Sequence, residues 1–419
     1  MSVTLIEPES PTPQGLDTYV VALAWDGGGW DGSVPFAPGT VRLSPPRPPS
    51  AFDLEVQGWA DGGITWRGTT RNVPADNLQP SVFFGAVNGF SSFSHTPDGG
   101  QDLAGSSASP MGNGQVLVIG GSKGQEVERL AWVYDHSSAR FLTSPPPNRE
   151  MAHHLALPLF LVDPAGDPQW LLAGGETADA SPTTHVEIYS RHYGGTPQPD
   201  LPLAQFLPVG SALDDAGRAL VGCGIDADRT AGLLTFTPEQ GFAPLAPSES
   251  CSGGQLAEIP DIGFALLGLD GGIWLLADAG VQQIGVLDVT RGFQSVVYDG
   301  GLYVLGGVGP QGVTSEVRRV FPDSVRVVSL STARADFAVL QIDAGVFLIV
   351  GGRDDAGQAL VGAELLDLNG MTTVSLPDMM QARITPALSD IPGCGAALVI
   401  SGEDATGQPA GGYEVFTYP

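Results

Sequence analysis

The sequence predicts an all-β chain in which seven repeated four-stranded units form a β-propeller, preceded by a small antiparallel β-sandwich. Three observations carry this. A short apolar strand ending in paired glycine, VLVIGG from Val116 to Gly121, recurs along the chain. Its copies are spaced by about 40 to 55 residues, the range of propeller and solenoid repeats. None is flanked by an apolar helical period, so the unit is built of strands, and four strands fit its length.

The copies after Val116 are LLAGG (Leu171 to Gly175), LVGCG (Leu220 to Gly224), ALLGL (Ala265 to Leu269), YVLGG (Tyr303 to Gly307), LIVGG (Leu348 to Gly352) and LVISG (Leu398 to Gly402). Glycine ending a strand lets the backbone take positive φ or approach a neighbour closely, which a β-carbon would hinder. About ten residues further on comes a second element: WVYD from Trp132, EIYS from Glu187, LTFT from Leu234, RVFP from Arg319, ELLD from Glu364 and EVFT from Glu414. Its third place holds Tyr134, Tyr189, Phe236, Phe321, Leu366 or Phe416. In the fourth unit only IWLL, from Ile273 to Leu276, stands at this point.

These two elements in register resemble the kelch-repeat β-propellers, whose units carry a double glycine after the second strand and a Glu, apolar, Tyr run in the third. Departures fall at Cys223, Leu269 and Ser401 in the pair and at Trp132 and Arg319 in place of the glutamate. The resemblance implies that the linker into each first strand and the loop after each glycine pair surround the mouth of a central channel. It places Arg149, His153, His154, Arg291, Arg334, Asp336 and Arg383 there from the linkers. The loops add Glu176, Asp226, Asp228, Arg353, Asp354, Asp355, Glu403 and Asp404. Guanidinium and carboxylate groups at a concave mouth can bind a polar ligand through bidentate contacts, or each arginine can hold the carbonyls of a neighbouring unit.

Ahead of the repeats, TYVVALAW (Thr18 to Trp25), GTVRL (Gly39 to Leu43), FDLEVQGWA (Phe52 to Ala60) and ITWRGTTRNV (Ile64 to Val73) alternate apolar and polar residues between Gly- and Pro-rich turns. The expected division is a sandwich over 1–80 and a propeller over 81–419, closed by a strand drawn from 81–95. Trp25, Trp30 and Trp59 lie near Asp26, Asp31 and Asp61 and either face the sandwich core or form a sugar-stacking surface. The opening MSVTLIEPESPTPQG lacks a signal-peptide pattern and reads as a proline-rich spacer of an exported protein, with a lipid anchor as one way of holding it to a membrane.

With 46 acidic against 18 basic residues and a net charge of -28, the surface repels phosphate backbones and anionic lipid. No nucleic-acid partner and no direct membrane insertion are expected. Three cysteines give no zinc spacing; Cys223 and Cys251 either bridge neighbouring units or remain buried thiols. His192 and Tyr193 resemble ligands of the copper-radical oxidases, which also join a sandwich to a kelch propeller. Those enzymes require two tyrosines, two histidines and a cysteine, a set the sequence does not gather, so no metal and no cofactor are expected. The Asp pairs at Asp214 and Asp354 read as hairpin turns, without a full calcium loop.

The leading functional expectation is a non-enzymatic binding or display protein of the bacterial surface or periplasm, presenting the mouth to a protein or glycan ligand. The alternative is a sugar-modifying enzyme resembling the kelch propellers that epimerise or mutarotate sialic acid, with an acid, a base and arginines facing the channel.

Overall fold

Every regular element in the computed structural model is a β-strand. The structure describes the chain apart from residues 9–12, 14, 36–39, 46, 47, 49, 78, 94–102, 125, 227–231, 246–250, 252, 269, 270, 278, 279 and 419. Asp228, Leu269 and the last two positions of the expected closing segment, Ser94 and His95, fall outside the described residues.

The amino-terminal region packs two sheets face to face. One sets Ser2–Ile6 between Thr40–Arg42, antiparallel, and Ser81–Phe83, parallel. The other runs in the order Gly28–Pro35, Thr18–Trp25, Phe52–Ala60, Gly63–Val73, Gly85–Ala86. Val3, Leu5, Tyr19, Leu54, Val82 and Phe84 meet in the core between them. Two expectations are corrected. Ser2–Ile6 is a core strand and not a spacer: Val3 and Leu5 are buried on either side of exposed Thr4, an alternation obscured by the prolines that follow. Gly28–Pro35 is an exposed edge strand paired along Thr18–Trp25, where the Gly-rich stretch DGGGWDG at 26–32 is expected to turn. Trp25 and Trp30 are half-buried against the core, the packing reading of the two.

The sandwich strands continue past residue 80 to Ala86. The chain then passes directly to the carboxy-terminal end: Val87 bridges Thr417 in parallel, Asn88 N donates to Thr417 O at 2.7 Å, and Gly89–Phe93 lies alongside Tyr413–Thr417.

From Ser107 onward come seven larger antiparallel sheets in chain order, six of four strands and a last of three, each a meander; two two-stranded ribbons, Ser122–Lys123 with Glu126–Val127 and Val308–Gly309 with Gly312–Val313, follow the glycine pairs of the first and fifth. Their first strands are Ser107–Gly112, Leu155–Val162, Val209–Ala212, Gln255–Ile259, Gln294–Tyr298, Ala338–Asp343 and Ala387–Ile391. Apolar residues of neighbouring sheets share a core at every interface. Leu117 meets Trp170 between the first and second, Leu171 meets Val221 between the second and third, and Phe416 meets Leu348 between the seventh and sixth. The seventh sheet also packs on the first, where Leu398 and Tyr413 join Val116 and Tyr134. First strands of the seventh and first sheets lie side by side as those of the first and second do.

The glycine pairs explain how neighbouring sheets come so close. At Gly351 and Gly352 φ is +66° and +94°, and a β-carbon would lie 2.5 Å from Arg383 O and 2.7 Å from Ala335 O, carbonyls of the two adjoining linkers. Gly352 N donates to Arg383 O at 2.8 Å. Where the first of the pair is not glycine, the side chain bonds instead to the linker of the next sheet. Ser401, at φ +64°, accepts a hydrogen bond from Ser106 N at 3.1 Å, tying the seventh sheet to the first. Cys223, at φ +56°, is disulfide-bonded to Cys251, with a sequence separation of 28. That decides between the two readings of this pair.

Closing a loop of that length is expected to contribute about 3–4 kcal/mol on chain-entropy grounds. Cys251→Ser should lower the denaturation midpoint accordingly, and reductant should lower that of the native protein. Equal midpoints for native protein, reduced protein and variant would contradict this. Cys394 remains a buried free thiol, pushed up to about 12 chiefly by burial.

Candidate functional site

The linkers into the first strands turn over at one position each, and that position is left-handed in all seven sheets. Gly105, His153, Leu207, Gly253, Gly292, Asp336 and Thr385 have φ between +48° and +70°. All seven line one cavity of about 750 Å³ at the end of the first strands. Backbone hydrogen bonds link several of them in series: His153 N to Gly105 O at 2.8 Å, Leu207 N to His153 O at 2.6 Å, Asp336 N to Gly292 O at 2.8 Å, and Thr385 N to Asp336 O at 2.7 Å. Below this rim the wall is largely apolar, with Leu155, Val209, Phe293, Phe337 and Leu388.

One residue earlier, the linkers of six sheets bridge the loop after the glycine pair of their own sheet; in the fourth sheet that position lies outside the described residues. Ala152 bridges Glu176, Ala335 bridges Arg353, and Ile384 bridges Glu403. The loop side chains are thereby brought up against the rim. His153 Nδ1 lies 2.8 Å from Glu176 Oε1, a hydrogen bond, while its Nε2 lies 3.6 Å from Glu403 Oε1, too long for one. Arg353 Nε donates to Asp336 across the neighbouring rim. Arg291 lines the cavity, is exposed, and makes no side-chain hydrogen bond or ion pair among the described residues.

The electrostatics follow from crowding. The Glu403 carboxyl is raised above the usual carboxylate range, first by burial and then by Glu176, Asp404 and Asp336, with His153 pulling the other way. His154 also lines the cavity, its Nε2 3.1 Å from Ser107 Oγ; burial, and then the neighbouring His153, lower its pKa to about 3 and keep it neutral.

The residues expected at the mouth therefore divide. His153, Arg291 and Asp336 line the cavity, with Glu176 and Glu403 on His153. Arg334 and Arg383 do not present their guanidinium groups to a ligand. Arg334 is 1% exposed and donates to Gly351 O, Gly362 O and Glu364 Oε1; Arg383 is 0% exposed and donates to Ser401 O, Gly411 O and Gly412 O. They hold the turns of their own sheets, and not the carbonyls of a neighbouring unit as expected from the structural reading.

The four arginines are also not equivalent positions. Counting back from the left-handed residue, Arg334 and Arg383 correspond to Met151, Gln205, Cys251 and Thr290, so Arg149 and Arg291 had been matched out of register. Arg149 is exposed on the linker and does not line the cavity. Asp354 accepts Gln358 N at 2.8 Å and caps its own turn, as Asp404 and Asp214 do, and does not line the cavity. Asp226 is 7% exposed beside the third glycine pair and is absent from the cavity wall. Arg353 belongs to the site more directly than several residues singled out above it.

No protein-family model matches the chain, and no curated protein does. Among solved structures the chain is similar to a fungal alcohol oxidase of the AA5 family in complex with copper. The TM-score is 0.60 at 13% identity, over 79% of this chain and 76% of that one. At that identity the likeness speaks to the fold. Even so, a solved structure of this architecture is an enzyme, and the reading of a non-enzymatic display protein is corrected on that ground.

The copper of that oxidase does not carry over to the groups present here. Cys223 and Cys251 are consumed by their disulfide, Cys394 is buried against the first sheet, and Tyr193 is an exposed side chain beside His192. Among the described residues, the one group of three or more His, Cys, Asp or Glu ligands close enough to share an ion is Asp163, Asp167 and His192. It lies at hairpin ends outside the cavity, and Arg191 Nε already stands 3.3 Å from Asp167.

Proposed function

We propose that the seven sheets form a seven-bladed β-propeller of the kelch type, its last blade completed by Gly89–Phe93, and that its mouth is the active site of a sugar-modifying enzyme working by proton transfer. The cyclic sequence of shared cores and the side-by-side first strands of the seventh and first sheets support the ring. The glycine pairs packed on adjoining linkers support the kelch relation.

The observation that carries the activity is His153 held at the cavity rim between two carboxylates from different sheets. Glu176 on Nδ1 fixes the ring and favours the tautomer with a free Nε2, a base facing the cavity. Glu403, raised by burial and by its acidic neighbours, keeps its proton to a higher pH than an ordinary glutamate and can serve as the acid. The 3.6 Å separation leaves Nε2 unbonded to that acid. With a cyclic sugar in the cavity, His153 takes the proton of the anomeric hydroxyl while Glu403 protonates the ring oxygen. The bond between the anomeric carbon and that oxygen breaks to give the open-chain carbonyl form. Closure on the other face returns both protons, so the anomers interconvert with no oxidant or reductant. Arg291 and Arg353 are placed to take polar substituents.

The disulfide supports an oxidising compartment, and with it export. The test is anomer exchange, followed by NMR or polarimetry on a panel of neutral, amino and carboxylated sugars. Wild-type protein is expected to accelerate exchange for at least one class, and His153→Ala and Glu403→Gln to reduce it by about 10²–10⁴-fold each. No acceleration across the panel, or full activity in both variants, would remove the reading.

A further inference from the structure

We infer that Gly105, which carries no functional group, is the positioning residue of this site, because the space left by its missing side chain is what lets His153 stand between Glu176 and Glu403. The inference rests on the acid–base reading of the mouth just given. A β-carbon at Gly105 would lie 2.7 Å from His153 Cδ2, 2.7 Å from Nε2 and 2.8 Å from Cε1, so the ring occupies that space. Gly105 leads into the first sheet, His153 into the second, and Glu403 belongs to the seventh. To approach Glu403, His153 must therefore pass over the rim position of the sheet between them, which only a residue without a side chain permits.

The same arrangement recurs across the rim and shows that it is specific. A β-carbon at Gly292 would lie 2.7 Å from Asp336 Oδ1, the carboxylate that receives Arg353. Of the other rim positions, His153, Leu207 at φ +51°, Asp336 and Thr385 at φ +48° hold the left-handed conformation with side chains, and Gly253 is a glycine. Left-handed backbone alone therefore does not demand glycine here. At 105 and 292 the requirement comes from the side chain folded over the position.

The experiment compares Gly105→Ala and Gly105→Asn with Gly292→Ala. Asparagine tolerates left-handed backbone and still carries a β-carbon. Gly292 has nearly the same φ, +66° against +65°, so its variant carries the same backbone strain without touching His153. The groups that act on the Glu403 carboxyl are His153, which lowers it, and Glu176, Asp404 and Asp336, which raise it. With His153 displaced, the Glu403 carboxyl signal in a carbon-13 pH titration is expected to move to higher pH in both position-105 variants and not in Gly292→Ala. The alkaline limb of kcat/KM should move up with it, and kcat should fall at least about tenfold.

An unchanged Glu403 titration in the position-105 variants overturns the inference, as does an equal upward shift in Gly292→Ala. Failure of both position-105 variants to fold while Gly292→Ala folds also overturns it, since the position would then serve packing. The titration needs no substrate. If no sugar is turned over, the acid–base reading fails while the role of Gly105 in placing His153 is still decided.

Discussion

Taking the protein from pH 7 to pH 5 is expected to remove about 4 kcal/mol of folding stability through two histidines alone. His136 is 1% exposed at the junction of the first and seventh sheets, its ring centroid 4.5 Å from that of Phe83, and burial lowers its pKa to about 3. His154 is lowered to about 3 as well, by burial and then by His153. The unfolded chain protonates both near 6.5, whereas the folded chain refuses the proton until far lower pH. Their contribution is therefore complete above about pH 6.5 and is lost progressively as pH falls toward about 3, close to 2 kcal/mol for each residue at pH 5. Glu403 and Glu414, both raised chiefly by burial, act in the opposite sense, because the folded state holds their protons to higher pH. The measurement is denaturant unfolding at pH 7 and pH 5 for wild type and for His136→Phe with His154→Phe. The double variant is expected to lose most of the pH dependence; an undiminished slope would show that other groups carry it.

Arg334→Ala is expected to lower the unfolding free energy by about 3–5 kcal/mol, because it leaves a buried carboxylate without its partner. Arg334 and Glu364 are each 1% exposed in their side chains and meet at 2.9 Å. The guanidinium also supplies Gly351 O at 2.7 Å and Gly362 O at 2.9 Å, carbonyls of the glycine-pair turn. Glu364→Gln should cost less, since an amide can still accept a hydrogen bond. The double variant Arg334→Ala with Glu364→Ala should cost less than the sum of the two alanine variants, because neither then strands a charge. Arg318→Ala, whose partners are the part-exposed Glu316 at 2.8 Å and the 80% exposed Asp288 at 4.0 Å, should cost under about 1 kcal/mol. Similar losses at 334 and 318 would refute the assignment of Arg334 as an internal clamp.

The repeat was legible because its signals depend on backbone geometry. Positive φ and close approach select glycine at Gly120 and Gly121 or Gly351 and Gly352, and a third-strand glutamate recurs because Glu187, Glu364 and Glu414 all accept backbone N–H groups from the preceding linker. The arginines misled for the opposite reason. A guanidinium near a linker is chemically the same whether it faces a ligand or a turn, and a shift of one or two residues separates Arg291 and Arg149 from the buried series. Ser2–Ile6 was obscured because proline governs local reading, while its partner Ser81–Phe83 is remote in sequence. His153, Glu176 and Glu403 could be placed near the mouth from their positions in the repeat. That one histidine would stand between both acids could not, since it depends on a missing atom at Gly105.

The bond from Ser106 N to Ser401 Oγ joins positions 295 apart. It places the two partners of one interface at opposite extremes of the repeated region, so on the ribosome the earliest sheet waits with a bare apolar flank until the latest is made. Synthesis at about 5–20 residues per second makes that wait tens of seconds. The growing chain is thus expected to need shelter from self-association until its two extremes meet.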